Sequence, residues 1–210
     1  MNQINTIIWD WNGTLLDDVH ISLNSVNLLL AKRNLEILTR EHYLDVFTFP
    51  VQEYYERIGF DFGIEPFEIT AHHFIEIYNE AVKDCGLHQE TITTLESMKS
   101  KGLKQYILSA MEQDLLDQTV RQNNIFTYFD GVFGLNHQYA TSKIEIGLTL
   151  LERCCLSPLQ SLLVGDTIHD FEVAQSIGCQ CILVAKGHQS KRRLESTGAK
   201  VIDSLSEINI

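Results

Sequence analysis

Short apolar runs separated by helical patterns most constrain what this chain can fold into. The runs cover Ile4 to Trp9, Gln105 to Leu108, Phe129 to Phe133, Ser161 to Val164 and Cys179 to Val184. Each is bounded by turn residues and is too short for a helix, so each reads as a buried strand. Helical periodicity falls between them, over Thr91 to Lys101, Gln113 to Asn123, Lys143 to Arg153, Asp170 to Ser176 and Gln189 to Ser196. Strand and helix in alternation give an α/β fold, a doubly wound parallel sheet with helices on both faces. The stretch from about Leu16 to Gly86 breaks this rhythm. It reads as four successive helices, Val19 to Lys32, Arg40 to Val46, Val51 to Ile58 and Pro66 to Lys83, without a strand. The expected organisation is therefore a core of residues 1–15 and 87–210 with a helical cap, residues 16–86, inserted after the first strand. An insertion leaving the C-terminal end of a strand stands over the crevice where such sheets bind ligands, which suits a lid.

Composition excludes several partners. In 210 residues, 16 Lys and Arg face 28 Asp and Glu, a formal charge of −12 that repels phosphate backbones. The one dense basic run, Lys191, Arg192 and Arg193, reads as a solvated helix face. No apolar run reaches membrane-spanning length and no leader pattern opens the chain, so neither nucleic acid nor membrane is an expected partner. Five cysteines, at 85, 154, 155, 179 and 181, form no CxxC pair, which fits a reducing, cytoplasmic compartment.

Four places at strand ends or helix starts could carry chemistry. Asp10 follows Ile7, Ile8 and Trp9 and precedes a turn at Gly13. Backbone N–H groups there could gather an anion beside a carboxylate able to attack phosphorus, although a strand-end aspartate can simply close an Asx-turn. In LLVGDTIHDFEVA, Asp166 follows a strand and Asp170 opens a helix. With Asp10 they would suit Mg²⁺, while Asp170 or Thr167 could instead cap the helix. Ser109 and the N–H after it, at Ala110, could hold a phosphate oxygen at the end of the second strand. Lys143 opens a helix, where a cation opposes the macrodipole unless an anion compensates it.

Taken together and in this order, Asp10, Ser109, Lys143 and the Asp166/Asp170 pair resemble the four motifs of the haloacid dehalogenase superfamily of phosphatases and phosphotransferases, with a helical cap after the first motif. Within the cap, FPVQEYYERIGF resembles phosphoglycolate-phosphatase-like members. The resemblance implies a Rossmann-like core and a phosphatase acting on a small phosphorylated metabolite through an aspartyl phosphate on Asp10. It further implies that Ser109 and Lys143, with backbone groups at Trp11, Asn12 and Ala110, hold the phosphoryl group. Mg²⁺ would be bound by Asp10, Asp166, the backbone carbonyl of Asn12 and, directly or through water, Asp170.

One residue departs from the pattern. Most phosphatases of this family carry an aspartate two residues after the nucleophile as general acid and base, and this chain has Asn12. An amide cannot move that proton, a contribution of about 10²–10⁴ in rate. Phosphate and metal binding should survive while turnover slows, with Asp17, Asp18 and His20 as candidate substitutes. The alternatives are a phospho-ligand-binding or regulatory module that has lost turnover, and a phosphonate or acyl-phosphate hydrolase whose leaving group needs little protonation. In the cap, Tyr54, Tyr55, Arg57, His72 and His73 could face the site or solvent, and the stripe Val26, Leu29, Leu30 with Arg33 reads as cap core.

Overall fold

The computed structural model describes residues 3–135 and 142–210. Six parallel strands, β1 (Thr6–Trp9), β2 (Lys104–Glu112), β3 (Gly131–Leu135), β4 (Ser161–Gly165), β5 (Gln180–Val184) and β6 (Lys200–Ile202), form one sheet in the order β3-β2-β1-β4-β5-β6. Burial of both faces explains the continuous apolar runs. Along β1, Ile7 and Trp9 enter one core and Ile8 the other. The first is covered by α5 (Thr91–Ser100) and α6 (Gln113–Gln122), through Leu95, Met98, Leu116 and Val120. The second is covered by α7 (Lys143–Arg153) and α8 (Ile168–Ile177), through Ile146, Leu150, Val173 and Ile177. A short α9 (Lys191–Glu195) precedes β6.

Between β1 and β2 lie α1 (Val19–Lys32), α2 (Arg40–Val46), α3 (Val51–Arg57) and α4 (Phe67–Val82). They build an apolar cluster of their own around Val26, Leu29, Leu30, Tyr43, Tyr54 and Tyr55. The chain leaves and re-enters the sheet layer side by side: Leu16 bridges Leu87, the Asp17 N–H donates to the Gly86 carbonyl at 3.0 Å and the His88 N–H to that of Leu15 at 3.0 Å.

Three differences from the sequence reading concern position. β2 does not stop at Leu108 but runs to Glu112, because pairing with β3 resumes at Glu112 and Leu135 after a register shift. Ser109 therefore sits within an irregular stretch of strand, where a bulge re-aims side chains. β6 has three residues, too few for periodicity to reveal. The basic run is solvated at Lys191 and Arg192, which pair at the surface with Asp203 at 2.6 Å and Asp45 at 3.3 Å, whereas Arg193 is half-buried and donates to the carbonyls of Leu44 and Phe47 at the end of α2.

Candidate active site

The central strand carries the first site residue. Trp9 pairs with Ile107 on one side and Val164 on the other, so Asp10, Ser109 and Asp166 leave the sheet at nearly the same level. This is the place where the strand order reverses, the crevice at which open α/β sheets take ligands. Asp10 continues the ladder, its N–H donating to the Val164 carbonyl at 2.8 Å.

Asp10, Asp166 and Asp170 converge there, all buried, each offering an oxygen within 4.8 Å of the others. Lys143, at the first position of α7, donates to Asp10 and, at 2.5 Å, to Asp170. A lysine in a helix's first turn has found the anions its dipole placement requires. Asp170 does two things at once. Its second oxygen accepts from Thr167 Oγ1 at 2.7 Å and the Thr167 N–H at 3.0 Å, completing a capping box on α8. Asp166 accepts the His188 N–H at 2.6 Å, and the Thr14 hydroxyl lies 3.0 Å from Asp166 and 3.2 Å from Asp10. Two glycines permit this packing. A Cβ on Gly13, whose φ is +73°, or on Gly187 would collide with the Asp166 carboxylate.

Charge in this space is unbalanced. Burial raises the Asp10 pKa to about 6 even though Lys143 opposes the shift. Burial, together with the charges of Asp10 and Asp170, holds Asp166 well above the carboxylate range. Burial also works against ionisation of Asp170, but Lys143 and the Thr167 hydrogen bonds outweigh it and lower that pKa. Three buried carboxylates against one ammonium, with oxygen donors alone, form a donor set that fits a hard divalent cation.

A second polar group lies beside the first. Ser109, fully buried, accepts the Met111 N–H at 3.0 Å and donates to Asn12 Oδ1 at 3.3 Å. The Asn12 amide donates to Asp18 at 3.1 Å and to the Tyr78 hydroxyl at 2.7 Å. Asp18 also accepts from Tyr78 at 2.5 Å, from the Gly13 N–H at 2.7 Å and from His188 Nε2 at 3.2 Å. Burial works against an ionised Asp18, yet His188 and these hydrogen bonds lower its pKa. His188 Nδ1 meets the Tyr43 hydroxyl at 2.7 Å. Burial would discharge this imidazole, but Asp18 raises its pKa to about 9.

The sequence-selected residues therefore divide. Asp10, Asn12, Ser109, Lys143, Asp166 and Asp170 come together, and Ala110 borders the same cavity. The Trp11 ring is wholly buried and its indole N–H has no partner, while its backbone N–H bonds to Asp10. Of the suggested proton carriers, Asp18 reaches Asn12, whereas Asp17 and His20 are exposed. Tyr54 and Tyr55 border the cavity; Arg57 pairs with Glu53 on the surface, and His72 and His73 are exposed. Sequence reasoning missed Thr14, Tyr43, Tyr78 and His188. Thr14 lies four residues after Asp10, and His188 follows a strand end on the same sheet edge, so both carried a weak signal; the tyrosines, deep in helices, carried none.

A cavity of about 450 Å³ opens from these carboxylates towards α1–α4. Its far wall includes Phe47, Phe49, Tyr54, Tyr55, Phe74 and Tyr78.

Comparison with known proteins bears on the family and the fold. The family profile described as haloacid dehalogenase-like hydrolase matches residues 7–184. A phosphoglycolate phosphatase of Aquifex aeolicus is 29% identical over 192 residues, 87% of this chain and 85% of that protein. A 5'-nucleotidase of Pseudomonas aeruginosa is 24% identical over 200 residues, 90% of this chain and 86% of that protein. The crystal structure of a predicted phosphatase from Clostridium acetobutylicum superposes with a TM-score of 0.79 at 21% identity, covering 98% of this chain and 96% of that one.

Proposed function

The chain belongs to the haloacid dehalogenase-like hydrolase family, and we propose that it is a divalent-metal-dependent phosphatase cleaving small phosphomonoesters through an aspartyl phosphate on Asp10. The convergence of Asp10, Asp166, Asp170 and Lys143 carries this reading. Similarity to a phosphoglycolate phosphatase and a 5'-nucleotidase supports the substrate class.

Asp10 is the nucleophile. With a pKa near 6 it is ionised at neutral pH, and one of its oxygens bonds to phosphorus as the bond from phosphorus to the ester oxygen breaks. Ser109, Lys143 and the backbone N–H groups of Asn12 and Ala110 hold the phosphoryl oxygens, and the Lys143 charge stabilises negative charge gathering on them. Water then attacks the acyl phosphate, releasing inorganic phosphate and regenerating Asp10. Mg²⁺ is the cation that Asp10, Asp166, the Asn12 carbonyl and Asp170 would hold, and it would neutralise the crowded carboxylates and polarise the phosphoryl group. Asp170 serves by fixing Lys143 and the start of α8.

Asn12 makes turnover slow, because its amide neither gives nor takes a proton. Asp18 does not replace it: its carboxylate accepts from Asn12, Gly13, Tyr78 and His188, which hold it as an anion. The helical segment 16–86 acts as the cap, closing the cavity over the crevice. Five unpaired cysteines support a reducing, cytoplasmic setting, and among the described residues no helix is long and apolar enough to cross a membrane.

Mg²⁺-dependent phosphate release tests the reading. Steady release that Asp10→Ala abolishes is expected, with a burst and an acid-quenched phosphoprotein if water attack limits turnover. Mg²⁺-dependent binding of phosphate analogues without any release would instead favour the non-catalytic binding module.

A further inference from the structure

Two independent features of this site select among phosphomonoesters. The first is the electrostatics of the cavity where the leaving group must lie. Five carboxylates border it, from Asp10, Asp18, Glu112, Asp166 and Asp170. Among the described residues, every basic side chain beside it already faces a carboxylate: Lys143 faces Asp10 and Asp170, His188 faces Asp18 at 3.2 Å, and His169 faces Glu172 at 3.5 Å. The lysines and arginines of the inserted segment lie elsewhere: Arg33 on Glu65, Arg57 on Glu53 and Lys83 on Glu80, with Lys32 and Arg40 exposed and outside the cavity lining. Residues 136–141, outside the described part of the chain, contain no lysine or arginine and one histidine, His137. With Lys143 and His188 engaged and a divalent cation committed to Asp10, Asp166 and Asp170, no cation among the described residues is left to meet an anionic leaving group such as glycolate or phosphate, which would lose its hydration here without compensation.

Aromatic surface dominates the opposite wall. Phe47 packs edge-on against Phe49 at 5.5 Å and Tyr54 at 5.2 Å, Phe74 stacks on Tyr78 at 5.6 Å, and Phe49 reaches the His169 ring at 4.8 Å. Such walls receive a flat uncharged ring through area burial and offset stacking. Tyr54 also contributes a buried hydroxyl with no partner, the single orphaned side-chain polar atom among the described cavity residues.

Asn12 is the second feature. It stands where a proton donor would help an alkoxide depart, and the nearest carboxylate, Asp18, is saturated with donors. A phenol has a pKa of about 10, far below that of an aliphatic alcohol, and departs as phenolate without such help.

From these features, and resting on the phosphatase reading above, we propose that the preferred substrates are aryl phosphates, phosphomonoesters whose leaving group is an uncharged aromatic alcohol. An Asp10 oxygen bonds to phosphorus, the bond to the aryl oxygen breaks, and the phenolate leaves with the electron pair and takes its proton from water. Hydrolysis of the acyl phosphate then yields inorganic phosphate.

The test has a turnover arm and a binding arm, both on the full chain with Mg²⁺. Phenyl phosphate should exceed 2-phosphoglycolate and pyrophosphate at least tenfold in kcat/KM. Benzyl phosphate, equally aromatic but an aliphatic ester, should show a kcat/KM at least tenfold lower, because that ratio reports the step in which the leaving group departs. Calorimetry should find phenylphosphonate, which cannot be hydrolysed, binding at least tenfold more tightly than phosphonoacetate. Ile75→Arg, a half-exposed cavity position, should narrow that gap by adding a cation.

Faster turnover of phosphoglycolate or pyrophosphate would overturn the aryl preference and leave the phosphatase reading intact. Equal kcat/KM for benzyl and phenyl phosphate would overturn the part assigned to Asn12. Release from no substrate would overturn the phosphatase reading, and the binding arm would then decide the pocket: tighter phenylphosphonate supports an aromatic ligand, and equal or tighter phosphonoacetate refutes it.

Discussion

At the scale of single residues, Asn12 and Lys143 make opposite predictions. The Asn12 amide joins two acceptors, the Asp18 carboxylate and the Tyr78 oxygen. Asn12→Asp removes those donors and sets a second carboxylate about 3 Å from Asp18, so one of the two must be held protonated. The expected cost is about 1–3 kcal/mol, a Tm lower by roughly 2–4 °C per kcal/mol, shrinking as pH falls and one carboxyl protonates. The same carboxyl is a restored proton donor, so kcat/KM for benzyl phosphate should rise more than that for phenyl phosphate. An unchanged Tm, or equal gains on both esters, would count against this account. Lys143→Met strands Asp10 and Asp170 without their cation. Breaking a buried pair from one side costs about 3–5 kcal/mol; thermal denaturation should show the loss larger at pH 8 than at pH 5, because Asp10 takes up a proton near pH 6.

Elements matter at the strand ends, where loops must approach side chains closely. The loop after β5 brings Gly187 against Asp166 and gives that carboxylate the His188 N–H. Gly187→Ala drives a methyl into Asp166 while leaving the helices intact. Circular dichroism should therefore be unchanged, and the rise in Tm on adding Mg²⁺ should fall to a small fraction. A ligand at 100 times its Kd stabilises by about 2.7 kcal/mol, so the wild-type rise is large enough to make its loss measurable. Asp166→Asn should remove the same rise. A Mg²⁺ shift preserved in both variants would remove Asp166 from the cation site.

For the whole molecule, His188 is a tie between layers. It sits beyond β5, bonds Asp18 just ahead of α1 and meets Tyr43 on α2, while Tyr78 of α4 reaches the same carboxylate. Its pKa rises from about 6.5 in the unfolded chain to about 9 in the folded one. A raised pKa means that the stabilisation is complete below about pH 6.5 and is lost as pH rises through 9. The Tm should thus fall between pH 7 and pH 10, and His188→Gln should flatten that slope while lowering the Tm at pH 7. An equally steep slope in the variant would place the titrating group elsewhere.

The alternation of apolar runs and helical periods determined the doubly wound sheet and the four inserted helices, because burial on two faces or on one stripe writes its period directly into local sequence. α1 and α2 match their sequence-based ranges to the residue. The sheet-edge rule likewise brought Asp10, Lys143, Asp166 and Asp170 to one place, since strand ends in a parallel sheet share an edge whatever the loops between them. Ser109 was legible as a residue but not as part of a bulge, which depends on how β3 pairs with β2. Only the tertiary structure decided that Asp18 accepts four donors, that the run at Lys191 to Arg193 bonds to α2 and an Asp203 carboxylate, and that seven aromatic rings from the inserted segment line one cavity. Those outcomes depend on which faces of distant helices meet, and no local period encodes that meeting.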